Sequence, residues 1–264
     1  MHRRQTLKAL AGFALCPLCT KLGFAAESAA GWSYCGPTGP DNWPGVCSTG
    51  KRQSPIYIAS SVQPEKSVYF ILRWADTANS IENNGHTIEL YFPNDYGGTL
   101  TVGAPPQQYT LVRFHFHQPS EHWVRDQGFA MEAHFVHENK QTGATAVVGV
   151  LMERADAVNP PNPVFARIAQ IMPSEKTRRP IDPPPINPNG LLPPQDPHLP
   201  PGGRVNYYRY DGSLTTPDCD EPITWLLLAD PIYVADADVT KFAELFGPCA
   251  TTARPLQRRL PPLP

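Results

Sequence analysis

The sequence predicts a mainly β protein folded as one domain, and three observations carry that prediction. Six segments rich in β-branched and aromatic residues, separated by turn residues, read as short strands. Helical periodicity is weak. No part of the 264 residues is long and apolar enough outside these segments to build a second core.

Taken in chain order, the first element is an export signal over residues 1–26. "MHRRQTLKALAGFALCPLCTKLGFAAES" opens with Arg3, Arg4 and Lys8, continues with an apolar run from Ala9 to Cys19, and ends in small residues around Ala25 and Ala26. The run is too short to span a membrane. The paired arginines fit the twin-arginine route, and an ordinary Sec signal fits equally well. The expected location is periplasmic or secreted, with residues 27–264 as the mature domain and no membrane segment in it. Removal near Ala25 takes away Arg3, Arg4, Lys8 and Lys21, leaving 18 basic against 24 acidic residues and a net charge of −6. With no basic run and no RNA-binding or zinc-finger signature, nucleic acid is excluded as a partner.

The strand candidates follow: "SVYFILRW", "HTIELYF", "YTLVRFHFH", "GFAMEAHFVH", "TAVVGVLM" and "ITWLLLADPIYV". "PVFARIAQIMP" and "DADVTKFAELFG" are the two helix candidates. Between Pro160 and Pro201 lie 14 of the 32 prolines. The segment beyond them is too short to form its own core, so this reads as an irregular surface segment inside one domain, not a linker.

Five of the eight histidines fall in "RFHFHQPSEHWVRDQGFAMEAHFVHEN". Alternate residues of a strand share a face. Arg113, His115 and His117 therefore line one face of the first strand, and Glu132, His134 and Val136 one face of the second. If the two strands pair antiparallel, His115, His117 and His134 converge. Three neutral imidazoles leave a tetrahedral Zn²⁺ one open position for water. A cupin offers a second reading, since His115, His117, Glu121 and Gly128 have cupin spacing. The glycine that motif needs at position 109 is Tyr109, and its second motif is missing. No His-Glu-x-x-His occurs, which disfavours a metalloprotease.

From roughly Trp32 to Pro255 the sequence resembles an α-class carbonic anhydrase. The resemblance rests on strings in the family's order: "WSY" (32–34), "QSPI" (53–56), "NNGH" (83–86), "FHFH" (114–117), "SEH" (120–122), "MEAHFVH" (131–137), "GLLP" (190–193), "YDGSLTTP" (210–217) and "TW" (224–225). It implies one domain around a large twisted, mostly antiparallel sheet with a few short peripheral helices. It also implies reversible hydration of CO₂ to bicarbonate and a proton, by attack of zinc-bound hydroxide on CO₂ with a histidine proton shuttle. A silent relative would be expected to lack ligand histidines, and all three are present.

The resemblance makes His115, His117 and His134 the zinc ligands. It gives Thr215 and Glu121 the task of orienting the hydroxide, since a threonine can accept one hydrogen bond and pass its own proton to a carboxylate. Thr216 would help hold bicarbonate. Glu132 would accept the outer N–H of His134, and His122 would support the region of Glu121 and Tyr210. His86 is the expected shuttle, because an imidazole titrates near neutral pH, with Tyr34 and Asn84 holding its water chain. Val136, Val147, Leu214, Ile223 and Trp225 match the apolar wall for CO₂. Monomer and homodimer both stay open.

After signal removal four cysteines remain: Cys35, Cys47, Cys219 and Cys249. In an exported chain they fit disulfides with three connectivities. Cys47 and Cys219 match a pair bridged in exported members of the family, and Cys35 and Cys249 are left over. Two positions depart from the family. Neutral amides are usual three residues beyond the shuttle histidine and two before the first ligand; here they are Glu89 and Arg113. A guanidinium has no acceptor to offer the outer N–H of His115. The two charges are expected to pair, replacing both amides together.

Overall fold

The computed structural model describes residues 31–65, 70–194, 206–249 and 251–258. The expected export segment, 1–26, lies outside the described residues. Among the described residues there are thirteen strands: β1 (Tyr57–Ile58), β2 (Phe70–Arg73), β3 (Ser80–Asn83), β4 (Ile88–Tyr91), β5 (Thr99–Val102), β6 (Gln107–His117), β7 (Trp123–Val124), β8 (Met131–Glu138), β9 (Thr145–Arg154), β10 (Thr177–Pro180), β11 (Tyr207–Gly212), β12 (Ile223–Leu228) and β13 (Ile232–Val234). Three short α-helices accompany them: α1 (Val46–Thr49), α2 (Pro163–Ile171) and α3 (Asp236–Glu244).

Eleven strands form one sheet whose main path runs β10-β3-β4-β6-β8-β9-β12-β11, with β5 pairing β2 and β6, and β13 pairing β9. All its pairs are antiparallel except β9–β12 and β9–β13. β1 and β7 make a separate parallel ribbon. The six strand-like segments of the sequence all fall on sheet strands. The last of them divides at Ala229–Pro231 into β12 and β13.

The centre of the sheet has two differently used faces. On one, Phe114, Phe116, Phe135, Val148 and Val150 are fully buried against Phe165 and Ile168 of α2 and Phe242 of α3. Both helices occur where the sequence placed them. α2 begins with Pro163 in its first turn, and the Asn162 side chain accepts hydrogen bonds from the N–H groups of Val164 and Phe165. An asparagine cap followed by proline is a strong start signal, because it satisfies free N–H groups and needs no donor from the proline. The opposite face of the sheet carries the histidines.

Two features depart from expectation. The proline-rich segment is not uniformly irregular: Thr177–Pro180 adds edge strand β10 beside β3. Proline is tolerated there because an edge strand has an unpaired side. Ile181, Ile186 and Leu191 then pin the following segment into the core. Strand β6 carries a bulge, its register with β8 shifting between Leu111 and Arg113. Tyr109 and Leu111 belong to the core face before it, and Phe114 and Phe116 after it. One extra residue thus re-phases the strand and turns Arg113, His115 and His117 to the side opposite Tyr109 and Leu111.

Candidate metal centre

Cross-strand register lays the site out in rows. Glu82, Glu89, His115, His134 and Gly149 are successive partners across β3, β4, β6, β8 and β9. The next row runs Tyr91, Arg113, Val136, Val147, Trp225 and Tyr210. On the other side, His117 faces Glu132. The expected antiparallel pairing of β6 and β8 is therefore present, and it brings the three histidines together. One nitrogen from each of His115, His117 and His134 lies within 4.8 Å of the other two.

The outer nitrogens fix which atoms remain free. His117 Nδ1 donates to the carbonyl of Thr252 at 2.6 Å, and its buried Nε2 has no partner. His134 Nε2 donates to Glu132 Oε1 at 2.8 Å, which leaves Nδ1 for the centre. Burial, followed by the neighbouring imidazoles, holds His115 well below the usual histidine range and lowers His134. Burial lowers His117 to about 4. All three are neutral at pH 7, and the outer bonds of His117 and His134 leave their Nε2 and Nδ1 lone pairs directed inward. Unpaired neutral imidazole nitrogens buried together are costly without a partner, and they suit a zinc ion. A second group, His122, Glu132 and His134, is also compact. Its atoms are already bonded to one another, so it is a hydrogen-bond network and not an open site.

Glu132 anchors that network. Its Oε1 accepts from His122 Nδ1 at 2.7 Å and from His134, while Oε2 accepts the backbone N–H groups of Glu121 and His122. Burial alone would raise its pKa, but His122 and His134 outweigh it and hold the carboxyl well below its ordinary value. His122 Nε2 lies 2.6 Å from the Tyr210 hydroxyl. Gly149 makes room for this arrangement. A Cβ there would stand 3.2 Å from Glu132 Oε1 and 2.7 Å from Leu227 Cδ1.

Glu121 sits on the other side of the ligands. Oε1 accepts the N–H of Arg254 at 2.8 Å, and Oε2 lies 3.9 Å from His134 Nδ1. Oε2 has no partner within normal hydrogen-bond geometry, yet Thr215 is near enough to draw the carboxyl pKa down. Burial dominates and pushes Glu121 up to about 7. Thr215 is buried on the loop after β11 and Thr216 is half-buried beside it. The Cys47–Cys219 disulfide ties that loop to α1, and Cys35 and Cys249 form a second bridge, pairing the two leftover cysteines.

His86 is half-buried and stacks on Trp32, with ring centroids 3.7 Å apart and planes 13° from parallel. Burial, and then Lys176, lowers its pKa. Asn84 Oδ1 accepts the backbone N–H groups of His86 and Thr87, so Asn84 shapes the turn that presents the histidine. The Tyr34 hydroxyl is buried without a partner. Val147, Ile223 and Trp225 belong to one apolar cluster, with Leu214 packed against it. Val136 is buried as the cross-strand partner of Val147.

The Glu89–Arg113 ion pair is present, with Arg113 Nε 2.7 Å from Glu89 Oε1. His115 Nδ1 is correspondingly buried with no hydrogen-bond partner. Four contributors had no role assigned from the sequence: the Thr252 carbonyl, the Arg254 N–H, the Trp32 platform and Tyr91. The first two are backbone groups of a C-terminal segment without a motif. Tyr91 donates toward Glu82 and Glu89, each at 2.9 Å, and looked like an ordinary strand aromatic.

Residues 38–260 match the family model described as eukaryotic-type carbonic anhydrase. A carbonic anhydrase of Neisseria gonorrhoeae is 36% identical over 248 residues, covering 90% of this chain and 89% of that protein. One from Nostoc is 31% identical, covering 98% and 97%. Among solved structures, the α-carbonic anhydrase of Thermovibrio ammonificans in complex with the inhibitor sulfanilamide superposes with a TM-score of 0.75 at 32% identity, covering 88% of this chain and 96% of that one. That of Photobacterium profundum gives 0.73 at 32% identity, covering 86% and 96%. The chain belongs to the eukaryotic-type, or α, carbonic anhydrase family. It is accordingly an enzyme of the lyase class, in a family whose reaction is the hydration of carbon dioxide.

Proposed function

We propose that this protein catalyses the zinc-dependent, reversible hydration of CO₂ to bicarbonate and a proton. The supporting observation is the trio of neutral imidazoles, His117 and His134 buried and His115 half-buried: His117 and His134 have their outer nitrogens bonded to Thr252 and Glu132, and their inner nitrogens face His115. His115, His117 and His134 would hold the metal. Zinc in such a three-histidine site would supply a Lewis acid that makes water a nucleophile near neutral pH, the bound water of carbonic anhydrases in general having a pKa of about 7.

The chain's own residues do the rest. Thr215 accepts the nucleophile's hydrogen bond and passes its own proton toward Glu121, whose Oε2 is unpartnered and open to it. Thr216 steadies the bicarbonate product. Val136, Val147, Leu214, Ile223 and Trp225 line a dry wall for a substrate that has little to hydrogen-bond. His86 carries the proton outward, through water held by Tyr34 and Asn84. Glu132 fixes the tautomer of His134, and with Tyr210 it locks His122. Two disulfides and the N-terminal sequence favour a periplasmic or secreted enzyme, with catalysis in residues 27–264.

Stopped-flow CO₂ hydration by the purified mature chain, with and without a zinc chelator, tests this reading. Hydration should vanish on chelation and return with zinc. His117→Ala should lose most bound metal along with the activity. Full turnover by a metal-free variant would sink the assignment.

A further inference from the structure

Arg113 has a use beyond cancelling Glu89. It meets Glu89 through Nε, 2.7 Å from Oε1. Among the described residues, neither of its Nη groups has a hydrogen-bond partner, and the side chain remains 37% exposed. Glu89, by contrast, is buried, and its second oxygen is taken up by the Tyr91 hydroxyl at 2.9 Å and by Asn84 Nδ2 at 3.4 Å. Its negative charge is thus shared among three donors. Glu82, the other acid of the network, is itself held by Tyr91.

The location matters as much as the free donors. Arg113 shares its strand face with His115, two residues away. Its cross-strand partners are Tyr91 on the polar side and Val136 on the apolar side. A guanidinium anchored through Nε keeps its Nη edge as a planar pair of N–H donors. That fork matches two in-plane oxygens of an anion. Because Glu89 already holds the group, little side-chain freedom is lost on binding. A family amide at this position would offer one neutral donor group and no such charge.

We propose that Arg113 forms an oxyanion subsite on the metal face of the sheet, taking a planar two-oxygen anion: bicarbonate, or the carboxylate of an organic ligand whose other end lies at the metal. The subsite determines specificity and rests on the zinc reading above only for that second, ligand-bridging case.

Two measurements on the zinc-loaded full chain test it. The first compares the affinity of sulfanilamide with that of benzenesulfonamides bearing a meta or para carboxylate. In the unaltered protein at low salt, one of the carboxylates should gain on the order of tenfold over sulfanilamide. Arg113→Gln restores a family-type amide and should abolish that ratio, and Arg113→Lys should retain only part of it. An identical ratio in the unaltered protein and Arg113→Gln overturns the proposal. The second follows the Arg113 Nε–H signal by ¹⁵N NMR as bicarbonate or benzoate is added. A saturable shift with benzoate as well as bicarbonate supports a general carboxylate subsite; a shift with bicarbonate alone restricts it to product; no shift with either removes it. If sulfanilamide fails to bind at all, the zinc reading fails by itself, and the NMR titration still decides the subsite.

Discussion

The two disulfides are predicted to stabilise the chain in a non-additive way that follows from how they nest. Cys47–Cys219 spans 172 residues and Cys35–Cys249 spans 214. With neither bond present, closing the shorter span restricts the unfolded chain by about 5 kcal/mol, from the logarithmic dependence on loop length. Once it is closed, the outer pair is no longer separated by its full span. The path through the existing bond runs 12 residues along the N-terminal segment and 30 along the C-terminal one. A loop of about 42 residues is worth about 4 kcal/mol on the same scale. Removing either pair while the other remains should therefore cost about 4 kcal/mol, and removing both about 9, more than the two single losses combined. The latter is comparable with the whole stability of a typical domain. Urea unfolding of Cys47→Ala/Cys219→Ala, Cys35→Ala/Cys249→Ala and the quadruple variant would measure this. Strictly additive losses, or a loss below about 1 kcal/mol for the Cys35–Cys249 pair, would refute the nested-loop reasoning.

Three further outcomes are expected. His86→Ala should slow CO₂ hydration in weak buffer without changing zinc content, and added imidazole should partly restore the rate; an unchanged rate would mean protons leave elsewhere. In a double-mutant cycle, Glu89→Gln should lower and Arg113→Gln raise the pKa seen in the pH–rate profile, with the double change returning it. Because the arginine is over a third exposed, the stability coupling should stay near 1 kcal/mol or less, and purely additive effects on the pH profile would contradict the pairing. His137 is buried, accepts at Nε2 from Trp74 Nε1 (3.0 Å) and donates from Nδ1 to the Phe135 carbonyl (2.8 Å), so the fold admits only its neutral form. Burial lowers it to about 3. Its contribution is intact above the unfolded value of about 6.5 and is lost as pH falls from there toward 3, at about 1.4 kcal/mol per pH unit. Urea titrations of His137→Gln should show an acid limb shallower by about one proton, and an identical slope would count against a neutral His137.

What could be read from the sequence was what periodicity and chemistry encode locally. His115, His117 and His134 were legible because strand alternation with two-residue spacing places imidazoles on one face, and β6 and β8 are the two long strands on either side of a single connection, 118–130. α2 was legible from its apolar spacing, and the structure adds the asparagine–proline start. The Glu89–Arg113 pair could be anticipated because two charges of opposite sign replaced two amides at once. Backbone partners could not be: the Thr252 carbonyl and the Arg254 N–H reach His117 and Glu121 from more than a hundred residues away. No residue type advertises a carbonyl. Nor did the prolines around β10 advertise a strand, since edge pairing there is decided by what β3 leaves open.

The bulge in β6 gives this strand two independent reading frames. Residues before Val112 answer to the demands of the core, and those after it to the demands of the metal, because the extra residue uncouples the two alternations. A single-residue deletion between Arg113 and His117 would exchange imidazoles for phenylalanines on the metal face and destroy the site. Ironing the bulge out of the present sequence would restore one continuous alternation in which Leu111 and His115 share a face, and so would force a choice between Leu111 in the core and His115 at the centre. The hairpin upstream can therefore be redesigned, lengthened or repacked without consulting the chemistry, provided that Phe114 and Phe116 keep their place in the core.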